Sequence, residues 1–110
     1  MTVQHRELAA GRWKELTFLE QMANIASEVE RTLSWRTRHH PDYAQRAFER
    51  ALELLDLTLA TTSSAPRLRE LARVREVWVD FFLGTNTYVS TEEFWRAYFT
   101  PFTYAARKDR

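Results

Sequence analysis

The sequence predicts an all-α fold, an up-and-down four-helix bundle, and three observations carry that prediction. The 110 residues hold only two glycines and three prolines, while Ala, Leu, Glu and Arg are abundant, which is the composition of helices rather than of strands and turns. Apolar residues recur at spacings of three and four over most of the chain. Capping patterns and breakers cut that periodicity into four segments joined by short connections.

Residues 1–16 show weak periodicity and contain Gly11, so they read as a less ordered lead-in; residues 17–110 read as a single helical-bundle domain. Thr17 followed by Glu20 is a capping-box pattern, in which each side chain satisfies a backbone N–H of the first turn. From there Leu19, Met22, Ala23, Ala26, Val29 and Leu33 form one apolar stripe. Pro41 ends any continuation, and Asp42 offers a cap for the second helix. That helix, 42–60, places Ala44, Ala47, Phe48, Ala51, Leu52, Leu55 and Leu59 on one face and interleaves Arg46, Glu49, Arg50 and Glu53 on the other. TTSSAP at 61–66 is a loop, with Pro66 suited to a first helical turn. The third helix runs to about Leu83, where Gly84 and Asn86 read as its stop. Ser90 and Glu93 form a second capping pattern opening a fourth helix, which Pro101 is expected to kink or to restart with Thr100 as cap.

The totals exclude several classes of function. With no cysteine, a disulfide framework, a thiolate metal site and a cysteine nucleophile are all ruled out. Sixteen basic against fifteen acidic residues give a net charge of +1, without the strongly basic balance of a dedicated nucleic-acid binder. The opening MTVQHRELAAGRWKEL carries charges where a secretory signal needs an apolar stretch, and no apolar run reaches bilayer length. The expectation is a soluble, cytoplasmic protein with no membrane contact.

Two charges fall on faces that should be apolar. Projected at 100° per residue, Glu30 lies between Ala23 and Ala26 in the first helix, and Arg75 lies between Leu71 and Val79 in the third. A lone charge there costs several kcal/mol, roughly, and a bidentate carboxylate–guanidinium contact offsets most of that. The sequence therefore predicts a buried ion pair of Glu30 with Arg75, a register-fixing device or the polar centre of a ligand or catalytic site; the remaining alternative is that the helices are rotated from this projection and both charges reach solvent.

Ten of the fifteen aromatic residues lie between Trp78 and Tyr104. Phe81, Trp95 and Phe99 point away from the predicted stripes, and a large exposed apolar patch marks an interface. These three are the expected interface of a homo-oligomer, most simply a two-fold dimer. The alternative is that Leu8, Trp13 and Leu16 fold over the same surface.

No motif supplies catalytic chemistry. There is no glycine-rich phosphate loop, serine elbow or paired-carboxylate constellation. Inward-facing Glu-x-x-His pairs, which a di-iron bundle needs, are missing, and the adjacent His39 and His40 diverge on a helix and lack further ligands for zinc. No catalytic residue, metal or cofactor is assigned. A weaker signal is basic: Trp35, Arg36, Arg38 and His39 at the first helix boundary, with Arg67, Arg69 and Arg73 on the third helix, supply guanidiniums and a stacking surface for nucleic acid.

The stretches ANIASEVERTLSWR, YAQRAFERALELLDLTLA, RLRELARVREVWVDFF and NTYVSTEEFWRAYFTPFTYAAR together resemble a family of short, uncharacterised bacterial proteins, over nearly the whole chain past Leu16. The resemblance implies a self-standing helical domain and transfers no activity or site residue. The functional expectation is a non-enzymatic bundle acting by self-association and by contact with a partner protein. The second reading is an RNA- or DNA-binding accessory protein, and the third an enzyme centred on Glu30 and Arg75.

Overall fold

The computed structural model describes residues 11–108 and is all-helical, with no strand among them. Four long helices, α1 (Phe18–Thr37), α2 (Pro41–Thr61), α3 (Ala65–Phe82) and α4 (Glu92–Lys108), follow a short helical stretch at 11–15. That stretch ties the described part of the lead-in to the bundle. Trp13 is buried in the core, its indole N–H donates to Thr58 Oγ1 on α2 at 2.8 Å, and its carbonyl accepts from Gln21 Nε2 at 2.8 Å. The part of the predicted lead-in before Gly11, Leu8 included, lies outside the described residues.

Local chemistry sets each boundary. At α1 the capping box closes as expected: Glu20 N–H donates to Thr17 Oγ1 at 3.1 Å and Thr17 N–H to Glu20 Oε1 at 2.8 Å. The α2 cap differs from expectation. Pro41 occupies the first turn and His40 the cap position, with no side-chain acceptor, so Asp42 sits inside the first turn. Proline has its φ fixed at a helical value and forces the preceding residue out of the helix, which moves the boundary one residue upstream. Ser64 caps α3, accepting from Arg67 N–H.

The α3–α4 connection is held by side chains rather than by glycine conformation. Asn86 and Val89 adopt positive φ, 57° and 53°, and no glycine does. Gly84 is needed for close approach instead, because a Cβ there would lie 3.0 Å from the Asp80 carbonyl oxygen. The Asp80 carboxylate accepts from the N–H groups of Thr87 at 2.9 Å and Tyr88 at 3.0 Å. Ser90 is buried and receives the Trp95 indole N–H, so it does not cap α4. Thr91 does, accepting from Phe94 N–H at 3.1 Å. The fourth helix then runs unbroken through Pro101 to Lys108. Thr100 does not restart it; its hydroxyl donates to the Arg96 carbonyl at 2.6 Å.

Cross-helix contacts run in opposite order along each neighbouring pair, which makes the pairs antiparallel: Asp56 with Arg75 and Phe48 with Phe82 for α2 and α3, Glu30 with Arg96 and Phe18 with Phe102 for α1 and α4. Between α3 and α4 the spacers are rings, with Trp78 and Trp95 edge to face at 5.0 Å and Tyr98 donating to Glu70 at 2.6 Å. One apolar cluster runs from Trp13 to Phe99.

That cluster overturns the expected interface. Phe81, Trp95 and Phe99 are 8%, 1% and 3% exposed, concealed by their own chain. The third and fourth helices bury a different arc from the one the stripes suggested, because aromatic rings reach across wider gaps than aliphatic side chains and draw Trp78, Phe81, Trp95 and Phe99 to the centre.

Candidate functional site

A concavity lined by charged side chains lies between α1 and α4, with a volume of about 600 Å³. Its floor is Val29, Trp95 and Phe99, each almost fully buried. Residues 26, 27, 30 and 31 of α1 line one wall, and residues 96, 100, 103, 104 and 107 of α4 the other. Both sets follow the i, i+4 spacing that brings side chains to one helix face. The space exists because Ala26, Ser27, Thr100 and Thr103 are small where the two helices face each other, while the long side chains stand at its margins. From Trp95 to Arg107 the trough extends about 18 Å along α4, at 1.5 Å per residue.

Its lining holds three guanidiniums, Arg31, Arg96 and Arg107, and one carboxylate, Glu30, and two of the three guanidiniums are paired with carboxylates. Glu30 accepts from Arg96 Nε at 3.0 Å and from Ser34 Oγ at 3.3 Å, and Arg96 also lies 3.5 Å from Glu92. Hydrogen bonding to Glu30 raises the Arg96 guanidinium above its ordinary value, against a smaller opposing effect of burial. Arg31 is held by Glu28 at 2.7 Å. Arg107 forms no ion pair among the described residues. Tyr104 is 67% exposed at the rim. An aromatic floor with one guanidinium, Arg107, free of an ion pair among the described residues suits a ligand that is apolar on one side and anionic on the other.

The predicted Glu30–Arg75 pair does not form. Arg75 Nε binds Asp56 Oδ1 of α2 at 2.7 Å, and both pairs are substantially solvent-exposed. Helix rotation is the reason. In α1 the buried face contains Gln21, Ile25 and Thr32 besides Met22, Ala26, Val29 and Leu33, while Leu19 is exposed, so the core direction turns away from Glu30. In α3 it is set by Leu71, Val74, Trp78 and Phe81, which leaves Arg75 at the margin. An enzymatic centre on Glu30 and Arg75 therefore has no geometric basis.

The seven residues assigned to nucleic-acid contact do not form one surface. Arg67 stacks over Phe18 at 4.2 Å, at the start of α1, about 25 Å along that helix from Trp35. Arg73 lies against Tyr88, and Arg36 over Phe81 at 4.8 Å; Arg69 is exposed on α3. Trp35, Arg38 and His39 do remain together at the α1–α2 turn. Tyr43 and Arg46, which sequence reasoning did not single out, join them there.

The groove itself was also missed. Its signal in the sequence is the polar series Arg96, Thr100, Thr103 and Arg107 running at helical spacing beside Trp95 and Phe99, which reads as a groove only once those two aromatics are placed inside. Among the described residues no three histidines or carboxylates gather as a metal site, and no helix is long and apolar enough to cross a membrane. No protein-family model, curated protein or solved structure matches the chain, so the site is read from its geometry alone.

Proposed function

We propose that the chain is an up-and-down four-helix bundle that works without catalysis, as a protein-interaction module whose α1–α4 groove receives an acidic amphipathic helix of a partner protein. The supporting observation is the groove's composition: an aromatic floor of Trp95 and Phe99 beneath three arginines and one glutamate. A trough about 18 Å long accommodates roughly three turns of helix, and helix-in-groove recognition uses apolar anchors at i, i+3 or i+4, and i+7. Carboxylates flanking those anchors would meet Arg31 and Arg107. Self-association through Phe81, Trp95 and Phe99 has lost its support, since all three are covered within one chain.

Calorimetric titration tests this with a synthetic helix carrying leucine anchors flanked by glutamates, and with its lysine-flanked counterpart as control. The acidic peptide should bind with a negative heat-capacity change from apolar burial, and Arg107→Glu should weaken it by at least about tenfold, about 1.4 kcal/mol. Equal binding of the two peptides, or no heat with either, contradicts the proposal.

A further inference from the structure

At the α1–α2 turn the chain builds a layered surface of rings and guanidiniums that the groove does not use. Trp35 and Tyr43 lie with ring centroids 4.7 Å apart and planes 34° from parallel, and His40 meets the Trp35 ring edge-on at 5.3 Å. Arg38 covers Trp35 at 5.4 Å, and Arg46 covers Tyr43 at 5.4 Å. Tyr43 is 47% exposed, and His39, His40, Arg38 and Arg46 are exposed as well. Neither arginine is in an ion pair among the described residues, so their N–H groups are free to meet a ligand's oxygens.

The short turn makes this cluster. Arg38 ends α1, His39 takes a left-handed φ of 62°, and Pro41 starts α2 at once, which folds Tyr43 back onto Trp35. Arg46, one turn after Tyr43, then reaches over its ring.

We infer that this corner is a stacking site for single-stranded nucleic acid, reading bases by their flat faces and phosphates by charge. A base stacks on aromatic rings and on guanidinium planes alike, and the same arginines donate to backbone phosphates. The single acidic residue of the turn, Asp42, is outnumbered by Arg38 and Arg46. An acidic peptide would use the charges but leave the exposed ring and guanidinium faces without a role, which favours the nucleic acid.

The test is fluorescence anisotropy of the full chain with a labelled twelve-nucleotide oligouridine at several salt concentrations, with unlabelled polyglutamate as competitor. The oligonucleotide should bind, with affinity falling as salt rises, because phosphate contacts release counterions. Tyr43→Ala should weaken binding by about tenfold, the scale of losing one stacked base, and Arg46→Glu by more. Arg67→Ala and Arg69→Ala, at the far end of the bundle, should change nothing. Circular-dichroism melts of each variant separate lost binding from lost folding; for a variant that unfolds, the Trp35 indole N–H shift of the unaltered chain on oligouridine addition is the readout. Unchanged affinity in folded Tyr43→Ala, equal competition by polyglutamate, or an unmoved Trp35 signal overturns the inference.

Discussion

Glu30 and Arg75 show how one residue's environment is decided by its helix's rotation. Each meets a partner near the surface, so replacing Arg75 with leucine should alter stability by less than about 1 kcal/mol in urea denaturation, the range of exposed ion pairs, whereas a broken buried pair would cost about 3–5 kcal/mol. Asp56 stays half-exposed and loses little by standing alone. Val89 is the opposite case. It is β-branched, held at a φ of 53° and 76% exposed, so it contributes strain without packing. Val89→Gly should therefore raise stability by about 1 kcal/mol in the same measurement, since glycine adopts left-handed backbone freely. A drop would show that the side chain makes a compensating contact. At this scale the sequence was legible where the chemistry is local. The Thr17–Glu20 box could be read from two letters, but the capping role of Thr91 could not be told from that of Ser90, because the bonds that claim Ser90, from Asn86 four residues before and the Trp95 indole five residues after, depend on the path of the loop and not on a cap pattern.

The helices themselves were largely readable from their periods, and their ends from Pro41, the TTSSAP loop and Gly84. What periodicity could not give was which arc faces inward, because an apolar stripe four residues wide tolerates a rotation large enough to carry Glu30 from core to margin. The fourth helix has its own test. Pro101 lies inside it and cannot donate to the carbonyl one turn back. Pro101→Ala should raise the urea midpoint by an amount equivalent to about 1 kcal/mol or more; a fall would mean that the proline shape is needed for packing on α1. The α3–α4 tether is sensitive to pH. Burial, followed by the hydrogen bond to Glu70, raises the Tyr98 phenol above its ordinary value of 10.0. A group raised on folding stabilises fully below its unfolded value and loses that contribution as pH climbs through the folded one. Stability should thus decline above about pH 10, and Tyr98→Phe should make that alkaline decline shallower. An identical decline in both proteins would place its origin elsewhere.

For the molecule as a whole, four aromatics of the last third, Trp78, Phe81, Trp95 and Phe99, build the interior, while Tyr88, Phe94 and Tyr104 stay exposed. Trp78 touches Phe48, Phe81 and Trp95 and leaves its own buried indole N–H without an acceptor among the described residues, so shape and ring contact dominate that centre. Composition revealed the number of rings but not their destination; four helices spaced by tryptophan hold more aromatic volume than aliphatic packing suggests. With Trp95 and Phe99 inside, the surface proposed for recognition is the groove they floor. The most direct test follows the four tryptophan indole N–H signals in a proton–nitrogen correlation spectrum while the acidic amphipathic peptide is added. The Trp95 signal should move progressively and saturate while Trp35 stays in place. A Trp95 signal that remains fixed when the peptide is in large excess would contradict the groove as the binding site.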